Sequence, residues 1–224
     1  MAQMMTLDRI RKDPGLRLLI DAANQHLAVQ GYTDHGPRHA GFVSHFAKEI
    51  LRCLSFDERI VELAAIAGYV HDIGNSINRN NHGVSGACML FPLLLQMDMV
   101  LTDVLTVVTA VGNHEEDYGV VTGPVTAAVV IADKADASRS RVRNGTPEPG
   151  DIHDRVNFAI QHNRLTVDPE RRVIRDELDM NTSSSVMEYL TIYMSRIAMC
   201  EKAARFLGCT FDLIINGHSI NATI

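Results

Sequence analysis

The sequence predicts a mainly α-helical fold, a helical bundle carrying a small C-terminal appendage of β-hairpin, helix and short strand, and three observations carry that prediction. The apolar residues are of the kind that fill helix interfaces: hydrophobic residues make up 46% of the chain, with 5 Tyr, 7 Phe and no Trp, so Ala, Val, Ile, Leu and Met must build the core. Apolar positions recur in steps of three and four from residue 16 to about residue 142, the period of helices with one buried face. The stretch "RNGTPEPGD", residues 143–151, then breaks that pattern with Gly, Asn and two Pro, and alternation of period two follows it.

Taken in order, helices are expected near residues 16–30, 37–54, 57–72, 83–96, 98–113 and 123–142. Pro37 suits the first turn of the second helix. Ser55, with Glu58 three residues later, is a candidate capping box for the third. Beyond the breaker, "RLTVDPERRVIRDELDM" alternates on both sides of Asp168-Pro169-Glu170-Arg171, the pattern of a hairpin. "SSVMEYLTIYMSRIAMCEKAARFLG" reads as a long helix ending at Gly208, and "CTFDLIING" as a short strand. The chain therefore divides into a helical core over residues 1–143 and an appendage over residues 151–224 packed on it. Val186, Leu190, Tyr193, Ile197 and Ala204 give the appendage helix an apolar stripe, which covers either its own core or a second copy in a homodimer.

Charge and cysteine content narrow the function classes. A net charge of −6 argues against polymeric nucleic acid as a partner, because that binding rests on Lys and Arg neutralising phosphates. A small anionic ligand in a local basic pocket stays compatible. Cys53, Cys88, Cys200 and Cys209 lie in predicted elements without CxxC or finger-like spacing, which reads as reduced core thiols. "MAQMMTLDRIRKDPGLRLL" contains no signal-type apolar region, and no later run reaches transmembrane length. The expectation is a soluble, cytoplasmic protein without membrane contact.

Chemistry enters where ionisable residues fall on buried stripes. "AGYVHDIGN", residues 67–75, sets His71 and Asp72 at the end of an apolar run in which Ile60, Leu63, Ala64, Ala67 and His71 share one face. His39 lies in line with Phe42, Val43, Phe46 and Ile50. His114 lies in line with Val100, Val104, Val107 and Val111, Asp133 follows Val125 and Val129, and His82 leads Gly86, Met89 and Leu93. One inward histidine is ordinarily a hydrogen-bonded core residue. Five segments that each aim a His or Asp inward point to a metal centre, since buried carboxylates need pairing or a cation. A nitrogen and oxygen donor set of this kind suits Fe, Mn, Zn or Ni, and bundle interiors are a known location for such sites.

These residues resemble a family. His39, the pair His71-Asp72 and Asp133 match the H…HD…D signature of the HD-domain superfamily of metal-dependent phosphohydrolases, with "HDIG" after an apolar helix and "IADKADA" later. The resemblance covers about residues 30–143 and implies an all-helical fold in which these four side chains hold one metal. His82 in "NHGVSGA" and His114 in "VGNHEE" resemble the two extra histidines of the dinuclear branches. On that analogy one metal takes His39, His71, Asp72 and Asp133, and a second takes Asp72, His82 and His114. The cofactors implied are two divalent transition metals, Fe or Mn first, with Zn, Ni and Mg as alternatives. Two cations sharing a bridging water would lower its pKa while clamping a phosphoryl group.

The implied activity is hydrolysis of a phosphoester or phosphoanhydride of a small, nucleotide-type substrate, with Asp72 and Lys134 as catalytic residues. Lys134, Arg139 and Arg143 are the candidate substrate-binding residues, since Arg139 and Arg143 would continue the side of Asp136 on a helix running to residue 142, and Arg suits bidentate phosphate contacts. An ordinary solvated face at a helix C-terminus fits those arginines as well. Asp136 is expected behind the site, orienting a ligand or Lys134, and His35 at the N-terminal end of its helix. His153-Asp154 in "DIHDRV", a second His-Asp pair without a preceding apolar run, reads as a solvated helix start.

The chain departs from the cyclic-dinucleotide phosphodiesterase branch, which has Lys after "HDIG", a double His and a Gly-Tyr-Pro triplet. Here those positions read Asn75, Asn113-His114 and "EEDYGVVTGP". "NHGVSGACML" and "IADKADASRSR" look closer to dinuclear enzymes that cleave nucleotides or dinucleoside polyphosphates. Two other readings share the ligand order: an HD-type di-iron oxygenase, and a non-catalytic metal-containing sensing module.

Overall fold

Side-chain caps fix where the first helices begin. In the computed structural model, which describes residues 4–148 and 150–221, the Thr6 hydroxyl accepts from Arg9 N to start α1 (Leu7–Lys12). Asp13 accepts from Leu16 N to start α2 (Pro14–Val29), satisfying donors that no helix can pair internally. α1, not expected from the sequence, is a six-residue helix, too short for a periodic signal. Pro37 opens α3 (Pro37–Cys53). α4 (Glu58–Val70) is capped by Asp57, whose carboxylate accepts from Arg59 N, and not by Ser55, which adopts a left-handed conformation (φ 60°) in the turn between α3 and α4.

A 3₁₀ turn (Ile73–Ser76) follows α4, then α5 (His82–Gln96), α6 (Leu101–Gly112) and α7 (Pro124–Lys134). The helix expected to reach residue 142 stops at Lys134. The carbonyls just beyond it find side-chain partners: Asn163 Nδ2 donates to the carbonyls of Ala135 and Ala137, and Arg141 Nη1 donates to Asp136 O at 3.0 Å. Residues 139–145 then fold into two short 3₁₀ turns.

The C-terminal part begins with α8 (Ile152–Ala159), which runs directly into β1 (Ile160–Asp168). β1 and β2 (Val173–Met180) form the expected antiparallel hairpin, turned at Asp168, whose carboxylate accepts from the amides of Glu170 and Arg171. α9 (Val186–Phe206) starts with a complete capping box between Ser185 and Glu188. It crosses over so that β3 (Thr210–Ile215) pairs parallel with β2, and β4 (His218–Ser219) finishes a sheet in the order β1-β2-β3-β4.

α9 packs against α7 and β3, and one apolar cluster runs from Met5 through the helices to Ile215. Cys200 and Cys209 lie in it, whereas Cys53 and Cys88 are exposed, contrary to the expectation that all four are core thiols. Among the described residues no helix is long and apolar enough to cross a membrane.

Candidate metal centre

Two glycines of "AGYVHDIGN" bring the histidines together. At Gly68 a Cβ would meet Val43 O at 2.9 Å, so α4 lies backbone-to-backbone on α3, and His39 and His71 end with their Nε2 atoms 3.2 Å apart. At Gly74 a Cβ would meet His82 O at 1.9 Å. The 3₁₀ turn therefore sits directly on the start of α5, and His82 Nε2 lies 3.1 Å from Asp72 Oδ1.

Each histidine is oriented from its far side. His39 Nδ1 lies 2.6 Å from Asp136 Oδ2, His71 Nδ1 2.9 Å from Gly68 O, His82 Nδ1 2.9 Å from Arg79 O and His114 Nδ1 2.6 Å from Val111 O. Every one of these partners is an acceptor, so the proton sits on Nδ1 and the Nε2 lone pair points inward. The result is two facing pairs, His39 with His71 and His82 with His114, the latter 3.0 Å apart at Nε2. Two lone pairs at that distance repel unless a proton or a cation lies with them.

Asp72 stands between the pairs. Its Oδ2 lies 3.6 Å from His39 Nε2 and 3.4 Å from His71 Nε2, with Asp133 Oδ1 3.3 Å from His39 Nε2. Its Oδ1 faces His82 and His114 at 3.1 and 3.6 Å. Ligand atoms bonded to one divalent ion at about 2.1 Å are roughly 3.0–3.4 Å from each other, close to the 3.1–3.6 Å found here. Asp72 Oδ2 is moreover buried without a hydrogen-bond partner, an expensive state for a carboxylate oxygen unless a cation meets it. All six side chains belong to sets whose donor atoms lie within 4.8 Å of one another. The donor set fits divalent metal.

The local field asks for positive charge. Burial opposes a charge on His71, but Asp72 and Asp133 outweigh it and push its pKa up to about 10. Asp72 and Asp133 resist the opposite effect of burial and stay well below the usual carboxylate range, Asp72 chiefly through His71 and Asp133 chiefly through Lys134. Burial holds His35 low, with Arg141 adding to it, so that imidazole is neutral near pH 7.

A cavity of about 820 Å³ lies beside this cluster, lined by residues that touch the six side chains and by none of the six themselves. His35 lines it with its ring edge-on to that of His39, and Arg79 and Glu115 line it where they meet His82. The opposite wall comes from α8 and α9 through His153, Asn157, Tyr193 and Arg196.

The six expected ligands, His39, His71, Asp72, His82, His114 and Asp133, thus meet at one place. The expected substrate-binding cations do not reach the cavity. Lys134 is buried behind the cluster, with Nζ 2.7 Å from Asp133 Oδ2 and 3.2 Å from Glu116 Oε1. Arg139 stacks on Phe158 and donates to its carbonyl, and Arg143 donates to the carbonyls of Tyr32, Thr33 and Asn24. Their placement on one face assumed a helix that ends eight residues earlier. Asp136 orients His39, and Arg38 holds it through two hydrogen bonds of 3.1 and 2.6 Å. His153 and Asp154 do begin a helix, and His153 is exposed as expected, on the cavity wall, but Asp154 is buried, accepting from Glu148 N. The solvated reading is corrected for Asp154 alone.

Sequence reasoning missed the residues that steady the ligands. Asn75 Nδ2 donates to Asp72 Oδ1 at 2.9 Å. Glu115 holds α5 and α6 together, with Oε2 3.0 Å from His82 Nδ1 and Oε1 accepting from Gly83 N at 2.7 Å. Glu116 joins Lys134 to Arg196 of α9, and although burial disfavours its charge those two cations bring its pKa down to about 2. Adjacency to His114 in "NHEE" was the available signal for both glutamates.

Comparison with known proteins places the cluster in a family: residues 38–139 match the HD domain. This segment is an HD domain. Such domains are helical and belong to a superfamily made up mostly of metal-dependent hydrolases. Over 163 residues the chain is 26% identical to an uncharacterized protein of Methanocaldococcus jannaschii, covering 62% of this chain and 62% of that relative. The matched HD domain contains every residue of the cluster and ends before Arg141, so the α8 and α9 wall of the cavity lies outside it.

Proposed function

We propose that this protein is a metal-dependent phosphohydrolase that cleaves a phosphoester or phosphoanhydride of a small phosphorylated substrate. One observation carries the reading: Asp72 turns its two oxygens to two separate histidine pairs whose lone pairs face each other beside a polar cavity. In this reading His39, His71, Asp72 and Asp133 hold one divalent metal, and Asp72, His82 and His114 hold a second. Metals bound there would supply an acidified water and neutralise phosphoryl charge. Fe or Mn are the first candidates, for a nitrogen and oxygen donor set.

The chain's own groups have defined tasks in this scheme. Asp136 and the carbonyls of Gly68, Arg79 and Val111 keep the four imidazoles in one tautomer. Lys134 takes Asp133 Oδ2, which leaves Oδ1 for the site. His35, neutral and with Nδ1 donated to Thr33 O, presents Nε2 at the cavity as a proton acceptor.

The test is metal analysis of anaerobically purified protein, paired with a screen of phosphoesters and nucleotides under Mn²⁺ or Fe²⁺. About two metals per chain with phosphate release is the expected result. Two irons with oxygen uptake and no phosphate release would replace this reading with the di-iron oxygenase.

A further inference from the structure

Asp133 divides its two oxygens between the metal cluster and a cation. Oδ1 faces the histidines, 3.3 Å from His39 Nε2, while Oδ2 lies 2.7 Å from Lys134 Nζ. That ammonium is shared, for Nζ also stands 3.2 Å from Glu116 Oε1. The same glutamate oxygen is met from the other side by Arg196 Nε at 3.0 Å. Glu116 Oε1 is buried and makes no hydrogen bond, so among the described residues these two cations are what hold it. Three contacts therefore lead from α9 to Asp133, with charge alternating at each step: guanidinium, carboxylate, ammonium, carboxylate.

Arg196 is held in place for this contact. α9 packs against α7, the helix that carries Asp133 and Lys134. One turn earlier on α9, Tyr193 is buried and its hydroxyl accepts from Asn157 Nδ2 at 2.7 Å. The Arg196 guanidinium lies over that ring, 4.7 Å from the centroid, and the aromatic face steadies it. With Arg196 present, two cations meet two carboxylates and Lys134 can stay on Asp133. Without it, Lys134 alone would serve both carboxylates. Glu116, left with a buried oxygen and no other partner, would draw the ammonium over, since a buried carboxylate without a counter-charge is expensive. Asp133 Oδ2 would then lose the cation that fixes how the carboxylate is turned.

We infer that Arg196 is a positioning residue for the metal centre: by occupying Glu116 it keeps Lys134 on Asp133 Oδ2 and Oδ1 aimed at the metal held with His39 and His71. Arg196 lies outside the matched residues 38–139, so the C-terminal appendage sets how tightly the HD domain holds one of its two metals. This rests on the metal placement of the phosphohydrolase reading, but on no property of the substrate. The second metal, at Asp72, His82 and His114, is outside the chain of contacts and does not depend on Arg196.

Withdrawal of Mn²⁺ from the full-length, metal-loaded protein by increasing chelator tests this, with bound metal per chain as the readout and melting by circular dichroism in parallel. Arg196→Met, which keeps an apolar stem on Tyr193 without the charge, should weaken one of the two metals roughly 10–100-fold, the range for residues that orient a ligand from behind. The other metal should be retained as in wild type. Arg196→Lys, which keeps a cation beside Glu116, should lose less. The deciding variant is Arg196→Met combined with Glu116→Gln: with the competing carboxylate neutralised, Lys134 returns to Asp133 and affinity should recover to within about twofold of Glu116→Gln alone. A merely structural role for Arg196 predicts no such recovery. Unchanged affinity in Arg196→Met would overturn the inference, and so would equal weakening of both metals or a double variant no better than Arg196→Met. A wild-type protein that binds no metal would remove the metal centre itself, and the phosphohydrolase reading with it.

Discussion

Gly74→Ala would separate the two halves of the metal cluster. The added methyl would sit 1.9 Å from His82 O, 2.6 Å from Gly86 N and 2.7 Å from Ser85 Oγ. Two of these three are backbone atoms, so no rotamer change relieves the clash. The turn and α5 must part from 1.9 Å to at least 3.0 Å, an opening of about 1.1 Å. Asp72 Oδ1 and His82 Nε2 now stand 3.1 Å apart, and the same movement takes them out of reach of a shared ion. Overpacking of this kind costs about 3 kcal/mol, or roughly 6–12 °C in Tm for a chain of this size. The pair His39 and His71 hangs on the α3 and α4 contact and is untouched. Gly68→Ala is the control: its methyl would meet Val43 O at 2.9 Å, which a small shift relieves, and it disturbs the other pair. Metal content after dialysis, together with thermal melting by circular dichroism, should show Gly74→Ala keeping about one metal and Gly68→Ala melting nearer to wild type. A Gly74→Ala protein with unchanged Tm and metal content would show that this contact does not set the cluster, as would loss of both metals without loss of helix.

Three further outcomes follow from the same geometry. Asp72→Ala should abolish turnover and strip most bound metal, because both sets share this carboxylate; retention of two metals would show that the sets are independent of it. Glu115→Gln should lower metal affinity or activity roughly 10–100-fold while leaving the melting curve close to wild type, since it loosens His82 from outside the ligand set; no change in affinity would deny Glu115 that role. Asp176 occupies an inward slot of β2 between Ile174 and Leu178, buried with Oδ1 unpartnered, and burial, reinforced by Asp136, raises its pKa well above the usual carboxylate range. The folded state then holds a proton that the unfolded state releases near pH 4, so this group's contribution to stability falls as pH rises above that point. Asp176→Asn should therefore raise Tm at pH 7 by a few degrees, on the order of 1 kcal/mol, and flatten the decline between pH 4 and 7; a lower Tm at pH 7 would contradict this.

Helices with a strong apolar stripe and the hairpin around Asp168-Pro169 are visible in sequence, because each depends on residues within a turn or two of one another. The inward aim of His39, His71, His82, His114 and Asp133 is visible for the same reason, as a continuation of each helix's apolar face. What sequence could not decide is every feature set by a distant partner. α7 stops at Lys134, and the carbonyls of Ala135 and Ala137 just beyond it are taken by Asn163 from β1. That retreat swings Arg139 and Arg143 away from the site and leaves Arg79, in a loop with no periodic pattern, as the cation beside His82. The tautomer of His39, held by Asp136, the two-faced role of Asp72 and the polar wall from α8 and α9 arise only when elements far apart in the chain converge, since such contacts are specified by position in space and not by spacing along the chain.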